Sequence, residues 1–215
     1  PLIADADTGY GNAINVRRTV QLYEQAGAAA IQIEDQQYPK RCGHMSGKEL
    51  IPAEEMVDKI RAARAARRSS EFVIIARTDA RGVTDLEEAI RRGRSYMHAG
   101  AEMLFIESPH SREELATIAQ AFVGVPLMAN MVEGGKTPLL SAGELETMGY
   151  SLVIFPNSLT RRFARAAMDL LAELKAHGTT RRQLDQMMPF TDLNRLLGIE
   201  EFQELERTYL PSPEK

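Results

Sequence analysis

The chain has 215 residues, of which 44% are hydrophobic and 26% are charged, and its formal net charge is −4. This composition excludes a disordered, collagen-like or coiled-coil chain, and the mildly acidic balance offers no basic surface for nucleic acid or an anionic membrane. No apolar run approaches the ~18 residues that span a bilayer. The single cysteine, Cys42, excludes a disulfide framework and fits a reducing, cytoplasmic compartment.

Six short apolar runs recur along the chain, each too short for a helix and rich in Val, Ile, Leu or Ala. They cover residues 2–6, 30–33, 72–76, 103–106, 126–129 and 152–155. Continuous apolar character without alternation is typical of strands that are buried on both faces of a parallel sheet. The sequence therefore predicts six parallel strands.

Helical patterns separate these strands and carry recognisable start and stop signals. The signals are Gly27, Pro52, Asp85, Gly100, and the capping boxes formed by Ser111 with Glu114 and by Ser141 with Glu144. A long sixth helix is predicted over residues 159–175. Regular alternation of strand and helix predicts a parallel α/β fold.

Polar residues follow every predicted strand. In chain order they are Asp5 and Asp7, Glu34 and Asp35, Arg77 and Asp79, Glu107, Asn130, and the pair Pro156 and Asn157. In a closed barrel such ends converge on one face, where catalytic groups gather. An open doubly wound sheet usually shows a phosphate loop, and Gly9 and Gly11 do not have its spacing. We therefore predict a TIM-type (β/α)8 barrel with extra C-terminal helices.

We interpret residues 1–215 as a single barrel domain, with six strand-helix units in residues 1–178 and a helical tail in residues 179–215. An eight-unit barrel typically needs about 250 residues, so we expect units one and two to be missing from an N-terminally truncated chain of a protein about eighty residues longer. The tail predicts a helix over residues 199–209, which either covers the barrel or is exchanged between the subunits of a homo-oligomer.

The first strand places two carboxylates, Asp5 and Asp7, two residues apart on one face. Like charges at a strand end are costly unless a cation or protons compensate them, and oxygen ligands with room for water suit Mg²⁺. Glu34, at the end of the next strand, can complete the site. The alternative for each aspartate is a helix cap or a hydrogen bond within its loop.

Residues 36–51 form a long connection that contains Lys40, Arg41, Cys42, Gly43 and His44. Such length suggests a functional loop that closes over the site. Positive neighbours lower the pKa of a cysteine, so we expect the Cys42 thiol to serve as a general acid or base, or as a nucleophile. The alternative is a small buried apolar residue.

Arg77 can hold a substrate carboxylate through a two-pronged hydrogen bond. The alternative is an ion pair with Asp79 or Glu107. Asn130 is a further candidate contact for a carboxylate.

These segments resemble the isocitrate lyase and phosphoenolpyruvate mutase superfamily. The resemblance lies in the motifs DADTGYG at residues 5–11, IEDQ at 33–36, KRCGH at 40–44 and ARTDA at 76–80, together with Glu107 and Asn130-Met131. It implies a Mg²⁺-dependent enzyme, with Mn²⁺ as an alternative metal, that acts on small di- or tricarboxylates. It also implies a homotetramer with no nucleic-acid or membrane partner.

The resemblance also implies a role for each candidate residue. Asp5, Asp7 and Glu34 would hold the metal, and Cys42 would protonate the departing carbon. The remaining residues would position carboxylates and complete the catalytic set, namely Lys40, Gly43, His44, Arg77, Glu107 and Asn130.

Two positions, Cys42 and Gln32, indicate which branch of the superfamily the chain resembles. Phosphonomutase members carry asparagine in place of Cys42, which disfavours phosphorus–carbon chemistry of the carboxyvinyl-carboxyphosphonate phosphorylmutase type. Isocitrate and methylisocitrate lyases have histidine where this chain has Gln32. Residues 38–45 resemble the dimethylmalate lyase and petal-death-protein branch, which implies retro-aldol cleavage of a 2-alkylmalate. The alternatives are oxaloacetate hydrolysis, (methyl)isocitrate cleavage, and a non-catalytic member that binds a dicarboxylate.

Overall fold

The structure is a computed structural model that describes residues 1–43, 45 and 47–210. It contains one sheet of six parallel strands, each hydrogen-bonded to the next strand in the chain. The strands are β1 (Ile3–Asp5), β2 (Ala30–Glu34), β3 (Val73–Thr78), β4 (Met103–Ile106), β5 (Leu127–Asn130) and β6 (Leu152–Ile154).

Helices alternate with the strands. They are α1 (Ala13–Gln25), α2 (Ala53–Ala66), α3 (Ala80–Val83), α4 (Leu86–Ala99), α5 (Arg112–Ala121), α6 (Ala142–Met148), α7 (Ser158–His177), α8 (Phe190–Leu196) and α9 (Ile199–Tyr209), with a 3-10 helix at Arg181–Gln186. None of them, within the described part of the chain, has the length and apolar character that a membrane crossing needs.

The strand order is what makes this sheet part of a barrel. In a doubly wound sheet the order reverses at a switch point, whereas here β1 to β6 follow one another without reversal. The sheet curls into a half-barrel of the TIM type, with helices packed outside it. The predicted fold class is therefore confirmed.

Apolar residues cover both faces of the sheet. On the outer face, Val16, Met56 and Ile60 of the helices pack against strand residues such as Ile31 and Ile74. A second, inner set takes one residue from each of four adjacent strands, namely Ala30, Ile75, Phe105 and Met128. Burial of each large apolar side chain contributes roughly 1.5–3 kcal/mol, so both layers hold the strand ends in place.

The chain divides into two compact units, Pro1–Ser158 and Leu159–Lys215. The first unit contains the sheet and helices α1 to α6. The helices of the second unit have no buried residue among those described. A single domain over residues 1–215 stays a prediction.

Three local features differ from the sequence-based prediction. β1 ends at Asp5, so Asp7 lies in the following turn with a φ of 50° rather than on the same strand face. The short helix α3 was not predicted. Ser111 accepts the Glu114 backbone N–H at 3.2 Å, but no reciprocal capping box forms, because the Glu114 carboxylate binds Arg81 at 2.7 Å instead.

Candidate functional site

The carboxyl ends of β1 to β5 bring the predicted site residues to one edge of the half-barrel. Asp5 ends β1, Glu34 ends β2, and Asn130 ends β5. Arg77 lies one residue before the end of β3, and Glu107 directly follows β4. Parallel strands place these side chains at the same edge, as the barrel interpretation expects.

Glu34 is a completely buried carboxylate, and neither of its oxygens has a hydrogen-bond partner among the described residues. Its nearest cations are Arg77, with Nε 3.4 Å from Oε2, and Lys40, with Nζ 3.7 Å from Oε1. Burial raises the pKa of Glu34 to about 7, although both cations lower it. An ionised carboxylate that lacks donors is the group that a bound cation would satisfy.

Asp5 and Asp7 lie beside this carboxylate. The Asp7 backbone N–H donates to Asp5 Oδ1 at 2.9 Å, and the Asp7 carboxylate contacts Lys40 Nζ at 2.8 Å. Burial lowers the pKa of Lys40, but its hydrogen bond to Asp7 and the charges of the nearby carboxylates outweigh this effect, so the net shift of the pKa is upward. Lys40 therefore carries a charge that bridges Asp7 and Glu34.

Within the described residues, no three His, Cys, Asp or Glu side chains are arranged as a metal site. The metal assignment of Asp5, Asp7 and Glu34 therefore stays a prediction. The donor chemistry fits Mg²⁺, because the candidate ligands are all carboxylate oxygens and the Glu34 oxygens lack donors among the described residues.

Arg77 forms the ion pairs that were the alternative to a role in binding substrate. Its Nε lies 2.9 Å from Asp79 Oδ2, its Nη1 lies 3.7 Å from Glu107 Oε2, and its guanidinium carbon lies 5.1 Å from the centre of the Phe105 ring. Burial disfavours the charged forms of Asp79 and Arg77. Arg77 and Lys48 nevertheless lower the pKa of Asp79, and the charges of Glu107, Asp79 and Glu34 raise the pKa of Arg77. The guanidinium is therefore held rigidly at the strand ends.

Gly43 is buried directly against the side chains of Arg77 and Glu107. A Cβ at residue 43 would lie 2.6 Å from both Arg77 Nη2 and Glu107 Cδ. Only glycine allows the backbone to approach so closely. The segment that carries Cys42 therefore lies over the ends of β3 and β4, as its predicted role requires.

Cys42 itself is exposed. The preceding backbone is held by Gln36, whose side chain accepts from Arg41 N and donates to Arg41 O, both at 2.9 Å. His44 lies outside the described residues, so its predicted role and its effect on the thiol stay predictions.

Glu107 and Asn130 lie together at the ends of β4 and β5. Asn130 Nδ2 is 3.3 Å from Glu107 Oε2. Asn130 Oδ1 and Thr137 Oγ1 are buried, and neither has a hydrogen-bond partner among the described residues. Polar atoms in this state are available to a polar ligand.

Sequence reasoning missed Lys48 and Ser108. Lys48 donates to the Gly43 carbonyl oxygen and contacts Asp79 Oδ1 at 2.7 Å. Ser108 Oγ lies 3.3 Å from the same carbonyl and has a left-handed backbone, with a φ of 57°. The spacing of Lys48 and Asp79, 31 residues apart, carries no signal of their contact.

The model of a protein family described as phosphoenolpyruvate phosphomutase matches residues 1–175 of this chain. The chain is 50% identical over 209 residues to 2,3-dimethylmalate lyase of Eubacterium barkeri, and the alignment covers 97% of this chain and 72% of that protein. It is 45% identical over 212 residues to a chloroplastic carboxyvinyl-carboxyphosphonate phosphorylmutase of Arabidopsis thaliana, and the alignment covers 97% of this chain and 62% of that protein. It is 47% identical over 204 residues to 2-methylisocitrate lyase of Aeropyrum pernix, covering 95% and 65%.

Two solved structures show the same fold. Oxaloacetate acetylhydrolase in complex with 3,3-difluorooxalacetate has a TM-score of 0.90 and 37% identity, covering 100% of this chain and 72% of the other. Phosphonopyruvate hydrolase in complex with oxalate and Mg²⁺ has a TM-score of 0.84 and 34% identity, covering 98% and 73%. The chain thus spans between 62% and 73% of the length of all five proteins.

Proposed function

Because the chain belongs to the phosphoenolpyruvate mutase and isocitrate lyase superfamily, we propose that it cleaves a carbon–carbon bond of a 2-alkylmalate or related 2-hydroxy dicarboxylate with the help of Mg²⁺. Relatives that are named lyases confirm the prediction of a lyase of this superfamily. The observation that supports the site best is the buried carboxylate of Glu34. It lies beside Asp5 and Asp7, and it has no hydrogen-bond donor in the part of the chain that the structure describes.

The charge balance of the site supports a divalent cation. The groups that the ion pairs of the site join, together with Asp5, are three cations and five carboxylates, namely Lys40, Lys48, Arg77, Asp5, Asp7, Glu34, Asp79 and Glu107. When these groups are all ionised, the carboxylates exceed the cations by two. Asp5, Asp7 and Glu34 would hold the ion, and Mn²⁺ is the alternative to Mg²⁺. When bound, the ion would supply a Lewis acid for the carboxylate and hydroxyl oxygens of the substrate.

The remaining residues would bind and orient the substrate. Asp79 already holds Arg77 through Nε and Nη2, so the remaining nitrogen, Nη1, can bind a carboxylate with little loss of side-chain entropy. Lys40 and His44 would contribute further positive charge. Gly43, Glu107 and Asn130 would offer polar atoms, including the buried Asn130 Oδ1.

Cys42 would complete the reaction by proton transfer. A carboxylate of the site would take the proton of the substrate hydroxyl while the adjacent carbon–carbon bond breaks, so the hydroxyl carbon becomes a ketone. The departing carbon receives the bonding electron pair and takes a proton from the Cys42 thiol. Its position beside Gly43, which contacts Arg77 and Glu107, supports this role.

Oxaloacetate hydrolysis is the second candidate, and the similarity to oxaloacetate acetylhydrolase over the whole chain favours it. The two reactions share the bound dicarboxylate but differ in the reacting partner. Hydrolysis adds a water molecule to the carbonyl carbon before the bond breaks, whereas lyase cleavage begins with loss of the hydroxyl proton; in both reactions the departing carbon must receive a proton.

We also propose a cytoplasmic homo-oligomer, a tetramer by family resemblance, in which residues 179–215 are exchanged between subunits. The exposed apolar residues of α9 support such an assembly: Phe202 is 62% exposed and Tyr209 is 76% exposed. The proposed partner is a small di- or tricarboxylate, and neither nucleic acid nor a membrane is involved.

A substrate panel tests the proposed function. Purified protein is incubated with 2,3-dimethylmalate, other 2-alkylmalates, methylisocitrate, oxaloacetate and phosphonopyruvate, in Mg²⁺ or in EDTA, and pyruvate and oxalate are quantified. We expect Mg²⁺-dependent pyruvate release from an alkylmalate. Oxalate release from oxaloacetate would favour the second candidate, and turnover of phosphonopyruvate alone would contradict both. Binding of pyruvate without turnover of any acid would indicate the non-catalytic member.

A further inference from the structure

We propose that Lys48 is a positioning residue that anchors the Cys42 segment to the strand ends. It would do so by joining the Gly43 carbonyl oxygen to the Asp79 carboxylate. The consequence for catalysis rests on the proposed function, whereas the anchor itself is a property of the fold.

The burial of Lys48 is the first support. Its side chain is 1% exposed and that of Asp79 is 0% exposed. An ammonium group loses its hydration in such a place and persists there only if acceptors replace the water. Its acceptors are the Gly43 carbonyl oxygen and Asp79 Oδ1, the latter at 2.7 Å.

The surrounding backbone leaves room for this lysine. A Cβ at Gly82, in α3, would lie 2.9 Å from Lys48 Nζ and 3.5 Å from its Cε. Ser108 Oγ lies 3.3 Å from the Gly43 carbonyl oxygen and 3.0 Å from Glu107 Oε1, so its one proton is shared between these two acceptors. Two parts of the fold therefore meet at the Gly43 carbonyl group, through Lys48 and Ser108, and α3 packs against Lys48.

The anchor also connects this segment to Arg77. Asp79 Oδ1 accepts from Lys48 at 2.7 Å and from Arg77 Nη2 at 3.2 Å, and Oδ2 accepts from Arg77 Nε at 2.9 Å. Gly43 lies against the same guanidinium. Lys48 thus sets the distance between Cys42, the proposed proton donor, and Arg77, the proposed carboxylate contact.

Hydrogen exchange tests the anchor independently of activity. Exchange of the backbone amides in residues 37–43 is compared between the wild type and Lys48→Met, which keeps a long unbranched side chain but removes its charge. We expect exchange in this segment to be faster by about tenfold or more, because the local opening free energy falls. Lys175→Met, at an exposed lysine of α7, is the matched control and should leave these amides unchanged.

Two further variants keep the test decisive if Lys48→Met is poorly folded. Lys48→Arg retains a donor and should restore most of the protection. Gly82→Ala displaces the ammonium without removing it and should raise exchange in residues 37–43 while the circular dichroism spectrum stays that of the wild type. Unchanged exchange in these residues in a folded Lys48→Met or Gly82→Ala protein would overturn the proposal.

Kinetics with the substrate found in the panel then test positioning. We expect kcat of Lys48→Met to fall by about tenfold or more with a smaller change in KM, because the proton donor is displaced rather than lost. Lys48→Arg should recover much of kcat. An unchanged kcat with faster exchange would overturn the positioning role. If the wild type turns over no acid, the proposed function fails, but the exchange experiment still tests whether Lys48 anchors the segment. Failure of the proposed function and failure of the anchor are therefore distinguishable.

Discussion

At the scale of single residues, some carboxylates of the site have a cation at hydrogen-bond distance and one, Glu34, does not. Arg77 and Lys48 both compensate Asp79, and Lys40 compensates Asp7. Glu34 has only ion-pair contacts at 3.4 and 3.7 Å and no hydrogen bond among the described residues. A buried carboxylate without donors favours its protonated form. Glu34 is therefore the residue through which pH and a bound cation should act on stability.

We predict that Glu34 makes the metal-free protein less stable as the pH rises. Its pKa is about 7 in the folded state and lies near the ordinary 4.5 in the unfolded state. Between these values the folded state binds more protons, so each step up in pH lowers the free energy of unfolding. The full loss, reached above pH 7, is on the order of 3 kcal/mol.

Urea unfolding in EDTA at pH 5 and pH 8 measures this effect. We expect the wild type to lose more stability between the two values than Glu34→Gln does, by up to the stated amount. Glu71→Gln, at an exposed carboxylate, should behave as the wild type. Equal pH dependence of the wild type and Glu34→Gln would contradict the prediction.

We predict that Cys42→Ser lowers kcat by about a hundredfold or more, because a hydroxyl is a far weaker proton donor than a thiol. Cys42 is exposed and does not lie among the proposed metal ligands, so Mg²⁺ affinity, measured by calorimetry, should change less than twofold. Met45→Leu, at an exposed neighbour in the same loop, is the control and should keep kcat. Full turnover by Cys42→Ser would exclude its proposed role.

At the scale of elements, sequence patterns predicted the strands and most helices because their signals are local. Asp85 caps α4 and Ser141 caps α6 through side-chain contacts to nearby backbone amides, so residue spacing was sufficient. The capping box predicted at Ser111 was only half correct, since the Glu114 carboxylate binds Arg81, which is 33 residues away in the sequence. Lys48 was missed for the same reason. Long-range ion pairs decide such details, and the spacing of residues does not encode them.

We predict that Gly43→Ala displaces the Cys42 segment and lowers activity with little global effect. The added methyl group would lie 2.6 Å from Arg77 Nη2 and Glu107 Cδ, so either the segment or this charged pair must move. A shift of about 1 Å can reduce the rate by about a hundredfold. The melting temperature should fall by only a few degrees, because the helix and strand cores are unaffected.

Gly143→Ala is the matched control for this change. Gly143 lies in α6, and a Cβ there would have nothing within 4 Å. Alanine in place of an exposed helical glycine stabilises by roughly 0.5–1 kcal/mol, so activity should persist and the melting temperature should rise slightly. Equal activities of the two variants would contradict the close approach of Gly43.

At the scale of the whole molecule, the two compact units differ in how they bury apolar residues. The first unit contains all three clusters of buried apolar residues, which cover both faces of its sheet. The second unit exposes large side chains on successive helices, including Phe163, Phe190 and Phe202. Large apolar side chains exposed on several helices are expected where a protein partner covers the surface. Self-association through the second unit is therefore the expectation that follows from the proposed subunit exchange.

We predict that the protein is a homo-oligomer and that Phe202→Glu reduces its mass. A charge placed on the apolar face of α9 loses hydration when that face is buried between subunits, which opposes association. Light scattering after size-exclusion chromatography should give a multiple of the subunit mass for the wild type and a smaller species for the variant. Gln203→Glu adds the same charge at the adjacent exposed residue of α9, about 100° around the helix axis from Phe202, and should keep the wild-type mass. A monomeric wild type, or an unchanged mass for Phe202→Glu, would show that α9 does not hold subunits together.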